Sequence, residues 1–454
     1  MKRRKVISFI DAVIVLLNIA AGRGNVLGNW LLFTENSFIF PAIVIVLDII
    51  YLLANKKRIK QIFTRQFKSI MPWLIWIALI FYNFLNLFLH VGGLDLPSFE
   101  YGMVAFLVFL VLNKQAMNKR VKKMALNDRV FYLSRGYIWL SAISIFGVFI
   151  SFLLYTAGLV GDATFSADFL VANEDAGNHY SRVFLSVRNY YTDYLSDFVR
   201  VPFFQDKGVF CGLFHEPHII AYNVFPCFIL LLGYYTKFKQ KFWIILSGVL
   251  IMLFAGSATN VLVVLACVSV YFLKVGKRNV LSMVLGASVV LIAVLVYISI
   301  DDTFLMFILD RLDGGNASNE YSRDLLRYAF SPKSLFGYNF LSTDFMKSGA
   351  QPGRDVGYVA FTLNIVFLLL YLKNTVRLIF RKESMAAAVG FASLYCILHS
   401  AKIGMTMYAQ ILPVLLVFLQ IYVLVQLRSR EKYAAKVLRK RELHAPAVSA
   451  VVNC

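Results

Sequence analysis

Apolar runs of about twenty residues recur along the whole of this 454-residue chain, and 59% of its residues are hydrophobic. A water-soluble core cannot absorb that many such runs, whereas a hydrocarbon layer about 30 Å thick requires roughly 20 apolar residues per helix. Backbone groups within that layer must be satisfied inside each span, which selects helices. The pattern predicts an all-α, polytopic membrane protein with about twelve transmembrane helices. They are expected near 6–22, 36–54, 70–90, 98–113, 131–158, 213–235, 242–256, 258–274, 279–300, 356–373, 385–402 and 406–427. The small polar string from Gly256 to Asn260 is expected to turn between the seventh and eighth. The whole chain, 1–454, reads as a single integral membrane domain.

The charge is uneven: 46 Lys and Arg face 25 Asp and Glu, a formal net charge of +21. The basic residues flank the apolar runs, as at Lys2, Arg3, Arg4 and Lys5 and through the tail 428–454. Cytoplasmic loops retain Lys and Arg, so both termini are expected in the cytoplasm. Nucleic-acid binding is excluded on the same ground, because no groove-facing basic patch forms. Two long polar segments, 159–212 and 301–355, then fall outside. They carry Arg182, Arg188 and Arg200 in the first and Arg323, Arg327 and Arg354 in the second. A guanidinium presents a planar fork to phosphate oxygens and stays charged, so these arginines point to an anion handled beyond the cytoplasm.

Helical spacing of Phe184, Val187, Tyr191, Leu195 and Phe198 predicts an amphipathic helix at the membrane interface in the first segment. In the second, Asn319 to Tyr328 reads as a short helix ended by Pro332. Arg323 and Arg327 share one of its faces. They call for a bound anion unless Glu320 or Asp324 neutralises them. The five cysteines, Cys211, Cys227, Cys267, Cys396 and Cys454, form no CxxC pair, and no HExxH or phosphate-binding glycine loop occurs. No metal and no cofactor are expected. Asp11 and Asp48 are the acids expected within spans, where ionisable groups are costly and usually functional.

The most specific string is Gly208-Val209-Phe210-Cys211-Gly212-Leu213-Phe214-His215-Glu216-Pro217-His218, running into a span. With Arg200 upstream, it resembles the Gly-Leu-Phe and Glu-Pro motif of the O-antigen polymerase and O-antigen ligase family. The likeness continues in order through Ser322 and Arg323, then Leu335-Phe336-Gly337, and finally Arg354-Asp355 before a span. The chain departs from the family at Asn260, where many relatives carry Ser-Arg. Ligases usually carry a histidine at the place of Asp355, and no histidine occurs within 301–355, so the resemblance favours a polymerase.

That resemblance implies metal-independent glycosyl transfer on the outer face of the bacterial cytoplasmic membrane. The growing glycan would leave undecaprenyl diphosphate and join an incoming lipid-linked oligosaccharide unit. Glu216, His215 and Asp355 are the expected acid–base groups. Arg182, Arg188, Arg200, His218, Arg323, Arg327, Arg354 and Tyr321 are expected to hold diphosphate and sugar. Membrane lipid, a chain-length regulator and a flippase are the expected partners. Simpler roles stay open: Glu216 at a helix start also suits the helix dipole, and Asp355 beside Arg354 also suits a local ion pair. A ligase differs only in its acceptor. A flippase or transporter would instead concentrate polar groups deep within its helices.

Overall fold

The computed structural model describes residues 2–22, 25–32, 34, 36, 38–54, 96–164, 178–191, 208–255, 357–403 and 411–443. These residues are mostly helical. The helices are α1 (Lys2–Ala20), α2 (Leu27–Leu32), α3 (Ile39–Leu53), α4 (Leu96–Ala116), α5 (Lys119–Lys123) and α6 (Leu126–Thr156). After a small sheet come α7 (Pro217–Tyr234), α8 (Phe238–Ala255), α9 (Gly357–Ile379), α10 (Ser384–Ile403) and α11 (Ile411–Leu443). The spans expected at 70–90, 258–274 and 279–300 lie outside the described residues, as does the turn after Gly256.

Two described helices are long and apolar enough to cross a membrane, Leu126–Thr156 and the stretch Ile411–Glu431. Shorter apolar helices of 10–17 residues run through Phe9–Ala20, Ile39–Leu53, Gly102–Ala116, Ile219–Tyr234 and Ser384–Leu398. The tail expected to leave the last span at 428 instead continues the helix: α11 runs unbroken to Leu443. Its Arg, Lys and Glu residues there are strong helix formers and carry the turn onward without a break.

Packing leaves one apolar helix face outward while two carboxylates are buried. On α3, Ile39, Ile43, Val46, Ile50 and Leu53 form one exposed apolar face at helical spacing, while Asp48 is 0% exposed. Asn18 of α1 donates through Nδ2 to Asp48 Oδ1 at 2.9 Å. Asp11 is likewise buried, accepting from Tyr51 Oη at 2.5 Å and Tyr132 Oη at 2.9 Å, with Lys114 Nζ at 3.4 Å. Gln115 Nε2 also donates to the Asp11 backbone carbonyl at 2.8 Å. One carboxylate thereby ties α1, α3, α4 and α6 together. Elsewhere, Tyr137 Oη of α6 donates to the Asn223 carbonyl of α7 at 2.5 Å. Gln420 Nε2 of α11 donates to Thr375 Oγ1 of α9 at 2.7 Å.

The all-α expectation requires one correction. Strands β1 (Ala163–Thr164), β2 (Asn178–Val183), β3 (Ser186–Tyr191) and β4 (Val209–Phe210) form an antiparallel sheet in sequence order. Residues 178–191 are a hairpin, where an amphipathic helix was expected to begin; 192–207 lie outside the described residues. The reason is local. Tyr180, Val183, Val187 and Tyr191 are β-branched or aromatic and favour a pleated surface. Val183 pairs with Ser186 across a two-residue turn, whose first residue, Phe184, has φ +50°.

Helix α6 supplies the seat for this hairpin. Ser144, Gly147 and Ser151 lie along one of its faces, and Ser151 Oγ accepts from the Leu185 amide at 3.0 Å. A Cβ at Gly147 would stand 2.4 Å from the Leu185 carbonyl oxygen, so only glycine admits the turn so close to the helix. Ser144 Oγ in turn accepts from the Leu213 amide at 3.2 Å.

Candidate functional site

The residues that follow β4 are held on every side by backbone hydrogen bonds. The Cys211 amide donates to the Val187 carbonyl at 2.8 Å, and the Val187 amide donates to the Gly212 carbonyl at 2.9 Å, extending the sheet. Gly212 takes φ +59°, a left-handed backbone that side chains rarely adopt, and its amide donates to Ser186 Oγ at 2.8 Å. On the far side the Val26 amide donates to the Leu213 carbonyl at 2.9 Å, and Asn25 bridges Phe214. The turn then delivers His215 and Glu216 to the start of α7.

Glu216 is the N-cap residue of α7, in an extended conformation (φ −132°, ψ 152°), with Pro217 opening the helix. Its carbonyl accepts from the Ile219 and Ile220 amides, each at 3.1 Å. Its carboxylate makes no cap hydrogen bond and instead lies 3.8 Å from His215 Nε2, through Oε1. The two side chains are 16% and 10% exposed, so the pair is largely screened from bulk solvent. The helix-dipole role expected for Glu216 involves no side-chain cap hydrogen bond here. Burial pushes the Cys211 thiol well above its ordinary range, and the Glu216 carboxylate pushes it further the same way.

Strand register decides which groups share this site. Side chains opposed across an antiparallel pair lie on one face, so Tyr180, Asn189 and Val209 form a row, with Arg182 and Val187 in the next. The Tyr180 ring stands 6.3 Å from the His215 ring, which places the His215–Glu216 pair over this face. The Arg182 guanidinium lies over the Trp30 ring of α2 at 4.9 Å, with Nε donating to the Phe184 carbonyl at 3.3 Å.

Arg188 belongs to the opposite face. Its Nη1 donates to Asp162 Oδ2 at 2.8 Å, its guanidinium lies 4.8 Å from the Tyr155 ring centre, and the residue is 8% exposed. Asp162 also accepts from Ser181 Oγ and, at 3.3 Å, from Tyr155 Oη. Of the arginines expected to hold diphosphate and sugar, Arg182 and Arg188 therefore lie on opposite faces of the sheet. A strand of period two puts residues six apart on opposite-facing positions only when an odd step intervenes, and the two-residue turn supplies that step.

Of the other expected site residues, His218 lies in the first turn of α7. Arg200, Tyr321, Arg323, Arg327, Arg354 and Asp355 lie outside the described residues. Sequence reasoning missed Tyr180, Asn189 and Trp30, because a helical reading of 178–191 hides cross-strand neighbours. Among the described residues no group of three His, Cys, Asp or Glu side chains is placed to hold a metal ion. No family model, curated protein or solved structure matches this chain.

Proposed function

We propose that this protein is a membrane glycosyltransferase that polymerises undecaprenyl-diphosphate-linked oligosaccharide units at the outer face of the bacterial cytoplasmic membrane. The observation that carries the reading is the screened His215–Glu216 pair at the head of α7, on the sheet face that also bears Arg182. The outward apolar face of α3 and the two span-length helices support a bilayer setting.

In this mechanism an acceptor hydroxyl attacks the anomeric carbon of the donor glycan. The bond from that carbon to the phosphate oxygen breaks, and the lipid diphosphate leaves with the bonding electrons. Glu216 takes the hydroxyl proton, with His215 orienting its carboxylate. General-base help of this kind contributes ~10²–10⁴-fold. Arg182 meets the negative charge growing on the leaving diphosphate, assisted by Arg200, Arg323, Arg327 and Arg354 as the resemblance implies.

The test is reconstitution of the purified protein with lipid-linked repeat unit. Wild type is expected to lengthen the glycan without added metal, and Glu216→Gln and Arg182→Ala to slow this by ~10²-fold. Failure of wild type to lengthen any chain while it moves the lipid across vesicles would replace the reading with a flippase. That second reading draws on the buried Asp11, Lys114 and Asp48 within the helices. Transfer of finished glycan onto a different lipid acceptor would make it a ligase.

A further inference from the structure

Asn189 is 0% exposed, and neither its Nδ2 nor its Oδ1 has a hydrogen-bond partner among the described residues. Native proteins rarely tolerate this, since each unpaired buried polar group costs ~1–3 kcal/mol. The side chain is therefore either a defect or one half of an interaction completed by a ligand.

Its position favours the second. Asn189 is the cross-strand neighbour of Tyr180, whose ring packs against His215, so the amide lies about one side chain from the proposed acid–base pair. On the other side of the same turn, Asn25 uses Oδ1 to accept from the Leu27 amide at 2.9 Å, while its buried Nδ2 has no partner among the described residues. Two amides thus flank the turn that delivers His215 and Glu216, each with hydrogen-bonding capacity left open.

The chemistry selects the ligand. An amide that is open at both donor and acceptor matches a group that is itself both, such as a hydroxyl or an acetamido substituent. A phosphate oxygen would satisfy Nδ2 but would face Oδ1 with like partial charge. Tyr180 adds aromatic surface beside it, suited to the apolar face of a sugar ring. We propose that Asn189 is a specificity-determining residue that reads a hydroxyl or acetamido group of the repeat-unit sugar. This rests on the reading of the chain as a handler of lipid-linked glycans.

The experiment uses the full-length protein in lipid nanodiscs with two probes: undecaprenyl diphosphate alone, and lipid-linked repeat unit extracted from cells lacking this protein. Asn189→Leu is close to isosteric and removes both open groups. It is expected to melt no lower than wild type without ligand, to bind bare undecaprenyl diphosphate unchanged, and to lose ~10-fold or more in affinity for the glycolipid. A clearly lower melting point would show the amide to be structurally engaged, and unchanged glycolipid affinity would show that ordered water satisfies it. Either result overturns the proposal. If Asn189→Leu does not accumulate as folded protein, Asn189→Ser carries the same comparison of the two probes. Wild type that binds neither probe overturns the glycan reading itself; wild type that lengthens chains beside an indifferent Asn189 variant overturns only the role of Asn189.

Discussion

Lys114 Nζ stands 3.4 Å from Asp11 Oδ1, with the two side chains 7% and 2% exposed, and the same ammonium lies 3.6 Å from the centre of the Tyr51 ring. A buried pair of this kind is weak as a source of stability but costly to break, because the survivor is left charged and unpaired. Lys114→Met is expected to destabilise the protein by ~3–5 kcal/mol. The double variant Asp11→Asn with Lys114→Met recovers part of that loss. Thermal unfolding in detergent checks it, and equal stability of wild type and Lys114→Met would show that α1, α3, α4 and α6 are held by other means.

The two described arginines of the sheet predict opposite phenotypes. Arg188→Met removes the partner of Asp162; a charge-assisted hydrogen bond is worth ~1.5–3 kcal/mol, less here because Asp162 is 37% exposed. Stability falls by about 1 kcal/mol, and Asp162→Asn in the same chain restores some of it. Arg182→Ala forfeits a ring contact of ~0.5–1 kcal/mol and a long hydrogen bond to the Phe184 carbonyl, and under the proposed function it slows chain lengthening by ~10²-fold. A variant pair with these outcomes exchanged would mean that the diphosphate meets the other face of the sheet.

Phe184 carries φ +50° at the tip of the hairpin, a conformation that is strained for any bulky side chain, and the residue is 46% exposed. Replacement by glycine relieves ~1 kcal/mol of backbone strain while giving up little packing. Phe184→Gly should raise the melting temperature. A lower one would locate an apolar partner for this ring.

Cys211 sets a limit at alkaline pH. Burial first, and the nearby Glu216 carboxylate second, hold its thiol well above 9.0, the value in the unfolded chain. The folded state therefore keeps a proton that the unfolded state releases. Its contribution to stability is complete below pH 9 and declines as pH rises past that value. Cys211→Ala is expected to show a shallower loss of stability between pH 9 and 11, read by thermal unfolding across that range. An unchanged slope would assign the alkaline sensitivity elsewhere. The same burial leaves Cys211 unreactive toward maleimide at pH 7.

Helical content was legible because apolar runs near twenty residues leave few alternatives, and the described helices fall close to the expected positions. The sheet was not, since Phe184, Val187 and Tyr191 satisfy a helical spacing while Tyr180, Arg182 and Val187 satisfy a strand pairing. Contacts with Ser144, Gly147 and Ser151, some forty residues earlier, settle that ambiguity, and no local pattern contains them. The His215-Glu216-Pro217 string was legible as a helix opening. Its companions Tyr180, Asn189 and Trp30 come from separate elements joined only by folding.

At a rise of 1.5 Å per residue, the 31 residues of α6 make a rod of about 46 Å. Near one end Tyr132 grips Asp11, and near the other Ser151 grips the hairpin. A hydrocarbon layer of ~30 Å accommodates only part of that length. Any change in the tilt of α6 is thus delivered, as by a mast, to the hairpin on which Tyr180 meets His215.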